Sequence, residues 1–250
     1  MSGHSKWATT KHKKAATDKA RGKLFAKLIR QIEVAAREGG GDINANATLR
    51  TMFTKARDAS VPLETIERAI KRGTGELEGT RYEAVTYEGY APGGVAVIVE
   101  CLTDNRNRTS AEVRSVFTRN GGSMAEPGAV AWQFERKGVI SVPGSVDEDT
   151  LTAVVVEAGA EDLKLEGDSW QVTTAPADLA RVRSALEEAG IEVLGAELAM
   201  VSTTTVPVED EEEAKRVLRF MDLLEDLDDV QAVWSNFDIP ENILELAAEG

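Results

Sequence analysis

Near residue 74 the hydrophobic period of this chain changes, and that change limits the folds open to it. Before it, apolar residues recur every three to four positions. Leu24, Phe25, Leu28, Ile29, Ile32, Ala35 and Ala36 share one face of a helix that the pattern starts at Thr17. "EGGGD" at 38–42 ends it. "NATLRTMFTKARDA" (46–59) and "PLETIERAIKRG" (62–73) read as two more helices, the second opened by Pro62 and closed by Gly73. After the linker "GTGELEGTRYE" the chain turns β-branched with a period of two, in "AVTYEGY" and "GVAVIVECLT", joined by the turn "APGG". Neither helices alone nor a sheet alone satisfies both patterns, so the expected class is α+β.

The remaining elements follow the same logic. "RTSAEVRSVFTRNGG" reads as a helix with a T-x-x-E capping box at Thr109 and Glu112, and "AVAWQFE" as the next strand. Trp132 and Phe134 lie two apart, so they are expected on one strand face in the core rather than as a base-stacking platform. From "GVISVP" to "EVLGAELAMVS" the order is βαββαβ, the ferredoxin-like sequence of elements. Strands and a helix before it, with "STTTVPV", "EDEEEAKRVLRFMDLLEDL" and "DVQAVWSNF" after it, make an incomplete unit of the same kind. The predicted organisation is therefore a basic arm and three-helix domain over 1–75, a discontinuous α+β domain over 80–137 and 204–240, and a ferredoxin-like domain inserted at 138–203.

Charge divides along the same line. The chain carries −14 overall, yet residues 1–72 hold 16 Lys and Arg against 7 Asp and Glu, while residues 73–250 hold 13 against 36. A body of −23 repels polyanions in general, so a +9 end makes contact with a phosphate backbone local and oriented. Lys6, Lys11, Lys13 and Lys14 cluster with Trp7, a combination that follows phosphates and stacks on an unpaired base. The helix continues the charge with Lys19, Lys23, Lys27, Arg30 and Arg37 on the face opposite its apolar stripe. "TDNRNRT" (Thr103, Asp104, Asn105, Arg106, Asn107, Arg108 and Thr109) is a second candidate, against the simpler reading of a strand-to-helix connection.

Chemistry is harder to place. His4 and His12 stand in the arm, away from any organised acid, and the lone Cys101 ends an apolar strand where a buried thiol is expected. No metal-ligand spacing or phosphate-loop motif occurs, so no catalytic residues, metal or cofactor are expected. One cysteine rules out an internal disulfide framework, and no apolar run approaches a membrane span, which points to the cytoplasm. The sequence leaves the oligomeric state open.

Taken together, "GHSKW", "KHKK", "DKARGKLFAKL", "NATLR", "ERAIKRGTG", "YEGYAPGGVAVIVECLTDNRNRT", "AWQFERKG" and "DVQAVWSNF" resemble the YebC family, whose mitochondrial relatives are translational activators. The resemblance runs from Gly3 to about Asp238 and departs from the family pattern at Thr9, Thr10, Ile43, Ser60 and Val61. It implies three domains, no enzymatic activity, and nucleic-acid binding through His4, Ser5, Lys6, Trp7, Lys11, His12, Lys13, Lys14, Arg21, Gly22 and Lys23, with the loop from Thr103 to Thr109. Two nucleic-acid partners then compete. Ribosomal RNA suits the Lys-rich face, because lysine contacts phosphates better than it reads base edges; duplex DNA bound by a transcriptional regulator is the alternative. A sensor binding a small ligand between ferredoxin-like units is the third reading.

Overall fold

The computed structural model describes residues 18–240, 242–244 and 246. Three helices come first: α1 (Asp18–Gly39), α2 (Ala47–Asp58) and α3 (Leu63–Thr74). Their shared core contains Leu28, Ile32, Ala36, Leu49, Ile66 and Ala69, the apolar stripes that the 3.6-residue period marks. Asn46 joins two of them. Its side-chain oxygen caps α2 by accepting from the Leu49 amide at 3.0 Å, and its Nδ2 donates to the carbonyls of Ala35 and Gly40 at 2.8 Å. Gly73 lets α3 approach α1 closely: a Cβ there would lie 2.5 Å from the Glu33 carbonyl oxygen. Glu33 itself is buried and paired with Arg72.

The chain continues through β1 (Glu83–Tyr90), β2 (Ala96–Thr103), α4 (Arg106–Arg119) and β3 (Ser123–Ala125). Then follow β4 (Phe134–Pro143), α5 (Glu148–Glu157), β5 (Ala160–Glu166), β6 (Ser169–Thr174), α6 (Leu179–Glu188) and β7 (Gly195–Ser202). The last elements are β8 (Val206–Pro207), α7 (Glu211–Glu225), β9 (Val230–Ser235) and β10 (Phe237–Asp238). They divide into two compact units, one of residues 1–134 and 202–250, the other of 135–201.

In the larger unit the sheet order is β3-β1-β2-β9, and β1 pairs antiparallel with both β2 and β3, as does β2 with β9. This is the ferredoxin-like sheet with a permuted chain. Strand, helix and strand run β2, α4, β3, but the strand lying between β2 and β3 is β1, which precedes them. Helices α4 and α7 meet through Phe117 and Phe220, whose rings stand edge to face at 5.0 Å, over Val97, Val99, Met221 and Leu224. The unit 135–201 has the order β5-β6-β4-β7, the arrangement that βαββαβ leads one to expect, around Ile140, Val142, Leu151, Val155, Val172, Val182 and Leu186. The molecule is an α+β protein. Helix α5 is capped by Asp147, which accepts from Thr150, and α7 by Asp210, which accepts from Glu213.

Three local expectations fail. The first concerns the helix after β2. The residue that caps it is Asn105, accepting from the Arg108 amide at 3.1 Å, so Thr109 lies inside α4 and no capping box forms there. The second concerns "AVAWQFE". Residues 131–133 form a 3-10 turn, and the strand starts at Phe134 and runs without a break through "GVISVP". The third is "STTTVPV", which reduces to the two residues of β8, paired in parallel with β10.

Candidate nucleic-acid interface

His4, Ser5, Lys6, Trp7, Lys11, His12, Lys13 and Lys14 lie outside the described residues. Lys19 falls in the first turn of α1, and Arg21, two residues later, is exposed. The next three cations have partners within the chain. Lys23 Nζ donates to Asp226 Oδ1 at 2.8 Å and to the Asp226 carbonyl at 3.2 Å, and Lys27 Nζ donates to the Glu225 carbonyl at 2.9 Å. Arg30 donates to the Asp228 carbonyl at 2.6 Å and to Asp229 Oδ1 at 3.1 Å, with its guanidinium 5.4 Å from the centre of the Tyr82 ring. The cause is local. Helix α7 ends at Glu225, where its last carbonyls carry the negative end of the helix dipole, and "EDLDD" (225–229) adds four carboxylates beside them. Spacings of four and three residues set Lys23, Lys27 and Arg30 on one stripe that matches this corner.

Asp229 is the centre of the corner. Its side chain is 4% exposed and takes Arg30 on Oδ1 and Arg108 on Oδ2, the latter at 2.6 Å. Thr109 Oγ1 lies 2.7 Å from the same Oδ2 and 2.7 Å from Thr103 Oγ1, which is itself 3.1 Å from Asp229. Burial works against this carboxylate, but the hydrogen bonds from Arg108, Thr109 and Thr103 outweigh it and hold its pKa below the ordinary aspartate value. "TDNRNRT" thus divides by role. Thr103 ends β2, Asn105 caps α4, Asp104 pairs with Arg108 at 2.9 Å, and Arg106 and Asn107 remain exposed on the first helical turn. Arg30, Tyr82, Arg108, Glu112 and Asp228 line an open cleft of about 450 Å³ at this corner. Cys101 is 2% exposed, and burial followed by the charge of Asp229 pushes its pKa up to about 12, which disfavours the thiolate form. Among the described residues no group of His, Cys, Asp and Glu could hold a metal ion, and no helix is long and apolar enough to cross a membrane.

A second feature was missed by sequence reasoning. Trp132, expected in the core with Phe134, is 69% exposed, whereas Phe134 is buried. The loop beneath it is held by Glu88. That carboxylate accepts the amides of Gly128, Val130 and Ala131 at 2.7, 2.8 and 2.9 Å. Burial raises the pKa of Glu88, yet the three amides outweigh it and leave it below the ordinary glutamate value. Gly128 has φ of +89°, a conformation that L side chains rarely adopt, and it lets the amides turn inward. The loop's far end is tied by Gln133, whose carbonyl accepts from Thr203 N at 2.7 Å and whose side-chain oxygen accepts from Asn236 at 3.0 Å. The signals for this were the dipeptide "PG" and the glycine and alanines of "PGAVA", which suit a turn better than a strand.

Residues 5–76 match the family model described as the TACO1/YebC protein N-terminal domain, and residues 82–237 the one described as the TACO1/YebC second and third domain. Proteins named "Probable transcriptional regulatory protein" from Acidothermus cellulolyticus and Thermobifida fusca are 58% and 57% identical to this chain over 246 residues. The match covers 98% of this chain in both cases, and 99% and 98% of those proteins. The crystal structure of a conserved hypothetical protein from Aquifex aeolicus superposes with a TM-score of 0.82 at 49% identity, over 90% of this chain and 93% of that one.

Proposed function

Because the chain belongs to the TACO1/YebC family, we propose that it is a non-enzymatic, nucleic-acid-binding regulator of gene expression that grips ribosomal RNA through its basic N-terminal end. One observation carries this reading. Lys23, Lys27 and Arg30 are paired with the corner at 225–229, so these three cations are engaged within the chain, and the cationic residues that precede them in the sequence, Lys6, Lys11, Lys13, Lys14, Lys19 and Arg21, are the ones we assign to the polyanion. Lys23, Lys27 and Arg30 then serve the interface indirectly, by fixing the direction in which α1 leaves the body.

That arrangement favours RNA in a ribonucleoprotein over a uniform duplex. A helix reading a major groove needs a free face of base-contacting side chains, and the middle of α1 spends its cations on its own chain. Lysines on a short basic end suit phosphates, and the acidic remainder is accommodated where basic proteins alternate with RNA. The second reading, a DNA-binding transcriptional regulator, is favoured by the names of the relatives from Acidothermus cellulolyticus and Thermobifida fusca.

Co-sedimentation with ribosomes at moderate salt, with duplex DNA as competitor, separates the two. Pelleting should survive the DNA, and the variant with Lys11, Lys13 and Lys14 all changed to Ala should lose most of it while melting normally. Its log affinity against log salt should be shallower by roughly 2 to 3, the share of three phosphate contacts. Transfer of the protein to DNA at low excess would establish the transcriptional reading instead, and unchanged pelleting of the triple variant would remove the arm as the grip.

A further inference from the structure

We propose that Trp132 is a stacking platform for an unpaired nucleobase. The inference rests on the nucleic-acid reading above and adds a base-contacting site to its phosphate grip. Four observations lead to it.

Trp132 is unlike the other tryptophans of the described residues. Trp170 and Trp234 are 7% and 8% exposed and donate their indole N–H groups to the Val146 carbonyl and to Glu100, as tryptophans in a core do. Trp132 is 69% exposed, so folding gains little from it. Its polar atom is also already used. Nε1 donates to the carbonyl of Ala129, three residues back in its own loop, at 3.0 Å. What the side chain offers outward is therefore a π face with no donor left to satisfy.

The loop that carries it is ordered before any ligand arrives. Glu88 holds the main chain of 128–131 through the amides of Gly128, Val130 and Ala131, and Gln133 is held on both its carbonyl and its side chain. A ring presented this way loses little conformational entropy on contact, which is one of the costs of binding by an exposed side chain. Glu88 is in this sense a positioning residue, fixing the platform without touching what binds.

The ring is also alone. Among the described residues of 82–134 and 202–240, Trp132 is the only exposed large hydrophobic side chain. An aromatic anchor for a protein partner is ordinarily set in a patch of energetically neutral apolar neighbours that exclude water. The neighbours of Trp132 in the sequence are the small Gly128, Ala129 and Ala131, the buried Val130 and Phe134, and the polar Gln133, so none of them adds an exposed large apolar side chain beside the ring. A single rigid aromatic face is sufficient for a base, because every base has a π face and stacking is tolerant of sequence.

The test compares an unstructured oligoribonucleotide of about a dozen nucleotides, a length within the usual range of single-strand sites, with a blunt duplex of the same sequence. Wild type, W132A, W132F and the Lys11, Lys13, Lys14 arm variant are titrated against both, with melting curves as a check on folding. W132A should weaken single-strand binding by roughly 5- to 150-fold, the range found when one stacked base loses its aromatic partner. W132F should recover most of that loss, and duplex binding should change less than about twofold in either variant. Wild-type affinity of W132A for the single strand, with loss in the arm variant, would overturn the platform and leave the nucleic-acid reading standing. Equal loss of single strand and duplex in W132A would overturn it as well, and so would a wild-type dimer that W132A splits in sedimentation, which would make the ring a protein anchor. Absence of binding by the wild type to either probe would remove both readings.

Discussion

Glu88 and Asp229 are both buried carboxylates in the larger unit, and both are held below their ordinary pKa by hydrogen bonds that outweigh burial. Their partners differ. Glu88 is satisfied by main-chain amides of one loop, about 40 residues away in sequence. Asp229 is satisfied by two guanidiniums and two hydroxyls from α1, β2 and α4, up to 199 residues away. Amides bring no long side chain to be ordered, so the Glu88 lock fixes a loop and leaves its aromatic ring outside. Cationic side chains reach far, so the Asp229 corner ties the helical segment to the sheet and withdraws positive charge from the surface. The same chemical group thus builds a presenting loop in one place and a clamp in the other.

The largest expected effect is at the clamp. D229N removes the charge facing Arg30 and Arg108 and should cost about 3 kcal/mol in urea unfolding, the low end for a broken buried pair because Arg108 remains partly solvated. Hydrogen exchange along α1 should accelerate in the same variant, and Cys101 should become more open to thiol reagents. If α1 were to keep its protection, the clamp would be incidental. E88Q should come next, at roughly 1–3 kcal/mol, since a neutral amide cannot accept all three N–H groups and leaves buried donors unmade. Its exchange increase should be confined to 126–133, and a larger loss than that of D229N would reverse the comparison. Smallest is salt. Raising ionic strength to about 1 M, where the screening length falls to about 3 Å, should weaken the exposed pair of Lys23 and Asp226 by less than about 1 kcal/mol and leave the Glu88 loop unchanged. K23A should abolish that difference.

Much of the fold is legible in the sequence. The three helices begin and end within about a residue of where Pro62, Gly73, Asn46 and the 38–42 glycines place them, because capping and backbone freedom are local properties. The βαββαβ order of 138–203 likewise follows from period and turn residues alone. The candidate site was less legible. The basic stripe of α1 looked like a surface for phosphates, yet three of its residues face the end of α7. "RTSAEV" carried a capping signature that Asn105 pre-empts, and Thr109 turned out to be a buried ligand of Asp229. Trp132 stands two residues from the buried Phe134, a spacing that puts both on one face of a strand, but the turn at 131–133 breaks the alternation between them.

The sequence by itself determined the α+β class, the ends of α2 and α3, the charge asymmetry and the family, which depend on residue type and local pattern. Only the tertiary structure decided which charges are spent and which aromatic is left out. Periodicity states that a face is covered or polar, never by what, and the partners of Lys23, Lys27 and Arg30, with the Asp229 partner of Arg108, lie more than a hundred residues downstream. Those pairings exist because folding brings the acidic end of one helix against the basic stripe of another, and no local rule contains that meeting.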